Sequence, residues 1–154
     1  MVKLGVLQEV RVRDVMTEGV VFLRMDATIV EAWETMHRHG ISGAPVLSPQ
    51  GKLVGIISRA DLADPRHRSE GGSGRVDDAM TRVVYAVRAE DPLMNAVRLM
   101  LQENIHRAMV VNDDGSMAGI ITPMDVLRAL ARVDPVGSTG FDVRFVDLRR
   151  LQGA

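Results

Sequence analysis

Two short patterns in this chain bring together groups that can hold a sugar or a phosphate: Ser58-Arg-Ala-Asp61 and Thr122-Pro-Met-Asp125. In each, a hydroxyl and a carboxylate stand three residues apart, directly after an apolar Gly-Ile-Ile run ending at Ile57 or Ile121. A hydroxyl can donate to a phosphate or ribose oxygen, and an ionised carboxylate can accept from two ribose hydroxyls. The change from an extended apolar run to a helix adds backbone N–H groups and the positive end of the helix dipole, both favourable to an anion. The same spacing has a plainer use. Ser or Thr followed three residues later by an acid is a near relative of the capping box, and Pro123 takes the preferred first helical position. One helix start can serve both purposes.

The two patterns are equivalent positions of an internal duplication. Residues 12–64 align without a gap onto residues 76–128 at a constant offset of 64, with 16 of the 53 aligned positions identical, enough to keep register throughout. Val12-Arg-Asp14-Val-Met16-Thr17 returns as Val76-Asp-Asp78-Ala-Met80-Thr81, and the run from Gly51 to Asp61 returns as Gly115 to Asp125. Repeats of this size bury their apolar faces against each other, which directs attention to the place where the copies meet.

Each copy reads as an extended entry, a helix, two strands and a second helix. In the first, Val20-Val21-Phe22-Leu23 is a strand candidate, and Thr28 to His39 carries Ile29, Trp33 and Met36 at helical spacing. Leu93, Val97 and Met100 repeat that stripe, and packing in the core is the role expected of Trp33. Gly40 and Asn104, the residue types that best tolerate a left-handed C-cap, end the two helices. Ala44–Leu47 and Leu53–Ile57 flank a polar turn closed by Gly51, a hairpin pattern that the second copy repeats around Gly115. The organisation is an entry segment (1–11), repeat one (12–64), a polar Gly-rich linker (65–75), repeat two (76–131) and a tail (132–154). Within the tail, the partial alternation from Phe141 to Leu148 predicts a strand.

Composition excludes several classes of function. With 154 residues, 46% hydrophobic, the chain can bury a sizeable core. A net charge of -1 without a long basic stretch lacks the electrostatic footprint of a nucleic-acid binder. No apolar run reaches membrane-spanning length and no signal segment opens the chain, so the expectation is a cytoplasmic protein without membrane insertion. Zero cysteines remove disulfides, thiolate metal sites and cysteine nucleophiles. Ten methionines against five aromatic residues predict an adaptable aliphatic core.

Taken in order, Val-x-Asp-x-Met-Thr, a helix, Ile41-Ser-Gly-Ala-Pro-Val46 and Gly-x-x-x-Gly-Ile-Ile-Ser-x-x-Asp closely resemble the CBS (cystathionine β-synthase) domain over residues 12–131, and two in tandem resemble a Bateman module. The resemblance implies a mixed α/β (α+β) fold of two pseudo-symmetric β-α-β-β-α repeats packed through their sheets. It also implies two related clefts for an adenosine-containing ligand such as AMP, ADP, ATP or S-adenosylmethionine, with no separate cofactor. Carried over residue by residue, the first cleft would use Ser58 and Asp61, Ser42, Gly43 and Ala44, and the second repeat's Thr81, Val84 and Tyr85. The second would use Thr122 and Asp125, His106, Arg107 and Ala108, and the first repeat's Thr17, Val20 and Val21. The run Ile105-His-Arg-Ala-Met-Val-Val111 is similar to the nucleotide-contacting strand of the regulatory γ subunit of AMP-activated protein kinase, which ranks the second cleft as the better phosphate site. In the first, Arg59 is the candidate to compensate for Ser42 and Gly43. The competing role for Arg107 is that of a solvated surface charge.

Catalysis and metal binding find little support. His37 and His39 are two apart on a helix and point in different directions, and no nucleophile-base pair is visible. The resulting expectation is a regulatory sensor, not an enzyme, that forms a homodimer and signals to a regulated protein. The alternative is a dimerisation or docking module with vestigial clefts.

Overall fold

Thr28 begins the first long helix by a reciprocal exchange with Glu31. The Thr28 hydroxyl accepts from the Glu31 backbone N–H at 3.1 Å, and the Glu31 carboxylate accepts from the Thr28 N–H at 2.8 Å. The helix ends where Gly40 takes a φ of 62°, and its counterpart ends at Asn104 with a φ of 51°. Both C-caps thus fall where the sequence places them. These features belong to a computed structural model that describes residues 9–67 and 74–133. The strand expected over 141–148 and most of the linker lie outside the described residues.

In the first repeat, β1 (Leu23–Arg24) leads to α1 (Ile29–Arg38), β2 (Gly43–Leu47), β3 (Leu53–Ser58) and the short α2 (Arg59–Ala63). A further short helix, α3 (Val76–Ala79), opens the second repeat, followed by β4 (Ala86–Arg88), α4 (Leu93–Gln102), β5 (Ala108–Val111), β6 (Met117–Ile121) and α5 (Pro123–Val133). Each repeat forms a three-stranded sheet in which the first strand runs parallel and the third antiparallel to the middle one. Both hairpins carry a register irregularity at the same aligned step, Val46/Leu47 and Val110/Val111. The fold is the expected mixed α/β pair of pseudo-symmetric repeats.

The first strand is shorter than the apolar run Val20–Leu23 predicts, because the chain before it is engaged elsewhere. A 3-10 turn at Val12–Asp14 docks on the second repeat. Val12 N–H donates to Asp91 O at 2.9 Å, Arg13 N–H to Ala89 O at 3.0 Å, and Leu93 N–H to Val10 O at 2.8 Å. The second entry returns the exchange at aligned positions. Val76 N–H donates to Ala27 O at 2.9 Å, Asp77 N–H to Met25 O at 3.1 Å, and Ile29 N–H to Gly74 O at 2.9 Å. Val12 is accordingly buried in the core of the second repeat with Leu93, Val110 and Ile121, whereas Val76, Ala79 and Met80 are buried in the first with Met36, Val46 and Ile57. Residues 18–22 form the bridge between the two, leaving only Leu23 and Arg24 to pair with β2.

Beyond these turns each entry pairs with the outer edge of the other repeat's last strand. Thr17 and Ile120 exchange two backbone hydrogen bonds, at 2.8 and 3.0 Å, as do Ile56 and Thr81, at 2.9 and 2.8 Å. Glycine permits this approach. A Cβ on Gly55 would stand 2.8 Å from Thr81 O, and one on Gly119 only 2.6 Å from Thr17 O. The hairpin turns add a matched pair of bonds between repeats, Leu53 N–H to Gly115 O at 3.1 Å and Met117 N–H to Gly51 O at 3.2 Å.

One core assignment is corrected. Ala32 and Met36 are fully buried with Ile29 packed beside them, but Trp33 is 47% exposed. On a helix the line from Ala32 to Met36 sets the buried face, and Trp33 stands about 100° around from Ala32, outside it.

Because the Ala methyl would meet a main-chain carbonyl, Gly55→Ala and Gly119→Ala are each expected to cost about 2 kcal/mol, the scale of overpacking; urea denaturation would show this as a lowered midpoint. Gly43→Ala, whose Cβ would come no closer than 3.4 Å to Ile57 O, should cost much less. A second expectation concerns acid. The Thr28 backbone N–H, then its hydroxyl, holds the Glu31 carboxyl below its ordinary value of 4.5. Its folded-state value is therefore the lower one, so the stabilisation is complete above that ordinary value and is lost as pH falls through and below it. Melting across pH 7 to 3 should show Glu31→Gln losing less stability on acidification than the parent.

Candidate functional site

The Gly-Ile-Ile runs divide their work by the two-residue period of a strand. Ile57 and Ile121 are buried in the separate cores, whereas Ile56 and Ile120 turn the other way and reach the space between the repeats. There, Pro45 and Ile56 of the β2–β3 hairpin and their aligned counterparts Met109 and Ile120 line one cleft of about 330 Å³. This is within the size range of small-molecule sites. The cleft extends toward the first repeat, where Gly43, Ala44, Ile57, Ser58, Asp61 and Thr81 complete its wall. Arg107 reaches it from the second repeat. An apolar floor with a hydroxyl, a carboxylate, a threonine and a guanidinium around it suits a flat heteroaromatic group joined to a polyhydroxylated, anionic portion.

At the helix starts, both patterns are capping boxes. The Asp61 Oδ2 accepts from the Ser58 N–H and hydroxyl, each at 2.7 Å, while the Ser58 oxygen accepts from Asp61 N–H at 3.2 Å. Thr122 and Asp125 repeat this at 2.9, 2.9 and 3.3 Å. Capping therefore fixes the orientation of each carboxylate at the edge of the inter-repeat space. The α2 helix has five residues, too few for a developed dipole, so attraction for an anion at this cleft falls to Arg107.

The other Asp is tied more tightly. Asp125 is 6% exposed, and its Oδ1 accepts from the Thr17 hydroxyl at 3.4 Å and from Arg128 Nη1 at 3.3 Å. Thr17, Thr122 and Asp125 thus come together. Asp125 also borders a second groove, of about 390 Å³, between the entry turn and α5, with Asp14, Met16 and Arg128 on its walls.

Several expected site residues stand apart from these groupings. Arg107, assigned from sequence to the second cleft, lines the first; its partner His106 is exposed at the turn before β5. Ala108 is fully buried in the second core. Arg59 does not compensate in the first cleft: its Nη2 donates to Met36 O at 3.2 Å, capping the α1 end, and its backbone N–H donates to Ser42 O. Val20, Val21 and Val84 are half-buried in the crossing segments. Tyr85 is 42% exposed, and its hydroxyl bonds Glu103, whose hydrogen bond and charge push the phenol above its ordinary value. Pro45, Ile56, Ile57, Met109 and Ile120 are the cleft residues that motif reading missed, although alternation along the hairpins marks all of them but Ile57. Among the described residues no group of three acidic, His or Cys side chains is placed to hold a metal, and no helix is long and apolar enough to cross a membrane.

The CBS domain family model matches residues 12–66 and 76–132, and the chain belongs to that family as a tandem pair, a Bateman module. A Methanocaldococcus jannaschii protein, MJ1426, is 28% identical over 152 residues, covering 77% of this chain and 90% of its own. The inosine-5'-monophosphate dehydrogenase of the same organism is 32% identical over 75% of this chain, which spans only 22% of that enzyme's length. Among solved structures, CBSX2 in complex with AMP is similar with a TM-score of 0.68 at 29% identity, over 80% of this chain and 97% of that one. The CBS domain pair of MJ0100, in complex with 5'-methylthioadenosine and S-adenosyl-L-methionine, gives a TM-score of 0.62 at 27% identity over 80% and 97%.

Proposed function

We propose that this chain is a regulatory CBS pair that binds an adenosine-containing ligand, AMP, ADP, ATP or S-adenosylmethionine, between its repeats and passes the occupancy on to a partner protein. The observation that carries this reading is the cleft where Ser58, Asp61 and Thr81 meet Arg107 of the other repeat over an apolar floor. Asp61 would accept from the ribose hydroxyls, Ser58 and Thr81 would serve the sugar and its substituents, and the paired isoleucines would flank the base. The AMP and S-adenosylmethionine complexes of its structural relatives support the same ligand class. No residue is given a catalytic role.

Signalling follows from the shared construction of the cleft. A ligand touching both repeats favours the arrangement that fits it and can shift the equilibrium only by its differential affinity for the two states. Exposed apolar side chains on the helices, Val30 and Trp33 on α1, Leu101 on α4, and Met124 and Leu127 on α5, support a homodimer as the unit that changes.

Thermal melting with AMP, ADP, ATP, S-adenosylmethionine, NAD and GMP tests the ligand. One adenosyl compound should raise stability by about 2.7 kcal/mol at a hundredfold excess over its Kd, and Asp61→Asn should abolish the rise. A flat panel would assign the chain to the docking-module reading instead. Sedimentation should give twice the 16.9 kDa chain mass, reduced to one by Trp33→Glu combined with Leu127→Glu.

A further inference from the structure

Duplication lets the outward helix faces of the two repeats be compared position by position. On α1, Val30, Trp33, Glu34 and His37 share one exposed side at helical spacing, away from the buried Ala32 and Met36. The short α2 packs alongside α1, and α5 alongside α4, so each repeat presents a face of two helices. Among the described residues nothing covers these faces: Trp33 is about half exposed, and Met124 and Leu127 of α5 are slightly more so. Apolar side chains grouped in this way mark an association surface.

Charge and bulk both differ between aligned positions. Glu34 of the first face becomes Arg98 of the second at the offset of 64; both are exposed, and neither side chain has a hydrogen bond or ion pair to another described residue. The second face carries the long apolar side chains Leu101, Met124 and Leu127 where the first has His37, Ala60 and Ala63, all of them exposed. In return the first has Trp33 at the position of Val97. If like faces met, Glu34 would face its own copy and Arg98 its own, and like charges across an interface oppose association. One contact would also be thick with apolar side chains and the other lean, although a single rigid pairing must close both. Unlike faces meet without either conflict.

Resting on the homodimer proposed above, we infer that two copies of this chain pair head to tail, the α1–α2 face of one packing against the α4–α5 face of its partner. Two-fold symmetry then makes the same contact twice. At each, the Glu34 carboxylate is set toward the partner's Arg98, and the leaner apolar face is set against the fuller one. Every contact joins a first repeat to a second repeat of the other chain, so a change in how the repeats of one copy sit reaches both repeats of its partner.

Sedimentation equilibrium of the full chain at low salt tests the pairing. Glu34→Lys and Arg98→Glu alter exposed side chains and should keep the parent's cooperative melt. Each should raise the dimer dissociation constant about tenfold, because each sets like charges together at both contacts. Combined in one chain they should return it to within about twofold of the parent, as a coupled pair does. Pairing of like faces would instead only exchange one like-charge pair for another, leaving the single variants unchanged. A second arm does not depend on these charges. Trp33→Glu spoils the first face and Leu127→Glu the second, so each homodimer has both contacts damaged, whereas a mixed dimer keeps one intact; an equimolar mixture should therefore associate where the separate variants do not. Single reversals without effect, a combined variant as weak as either, or a mixture no more associated than its parts would overturn the head-to-tail pairing and leave the homodimer standing. A parent that sediments at one chain mass would remove the homodimer as well, and the two failures are thereby distinct.

Discussion

Everything in this molecule hangs on two main-chain crossings, Thr17 on Ile120 and Thr81 on Ile56. Each joins one repeat's entry to the edge of the other repeat's last strand, and each is possible because a glycine leaves room for the incoming carbonyl. The crossings cap sheet edges that would otherwise present unpaired N–H and C=O groups. They also bring the two Gly-Ile-Ile runs close enough to enclose a cleft, with the second isoleucine of each run left to its own core. Neither repeat owns the site. Its carboxylate and hydroxyl come from one copy, its guanidinium from the other, and Thr81 arrives on the crossing itself.

Capping and the proposed ligand contacts draw on the same atoms without competing for geometry. The hydrogen bonds that Ser58 and Asp61 exchange fix the orientation of a carboxylate at the cleft edge that would otherwise rotate. That is preorganisation obtained from secondary structure. In the second copy the carboxylate also accepts from a threonine of the crossing strand and from an arginine one turn along the helix.

What was legible in the sequence was local. The helix beginning at Thr28, the left-handed ends at Gly40 and Asn104, the two hairpins and the capping boxes each depend on residues a few positions apart, and each stands where the pattern places it. What depended on the other copy was harder to read. An alignment of two repeats does not say which core receives Val12, and the apolar run Val20–Leu23 looks like a strand although most of it is a bridge. Trp33 satisfies helical spacing but falls beside the buried line set by the smaller Ala32. Arg107 belongs by sequence to one copy and by position to the other's cleft. One signal was present: glycine in the interior of an apolar strand, at Gly55 and Gly119, marks a close backbone approach.

The exchange of entries also orders events while the chain is being made. The first repeat's core lacks Val76, Ala79 and Met80 until residues well past the linker have left the ribosome, and the N-terminal turn waits for the far strands that enclose Val12. Closure thus depends on contacts of long sequence separation, whose loop entropy must be met before they stabilise anything. A half-made chain holds a first core with its apolar face uncovered.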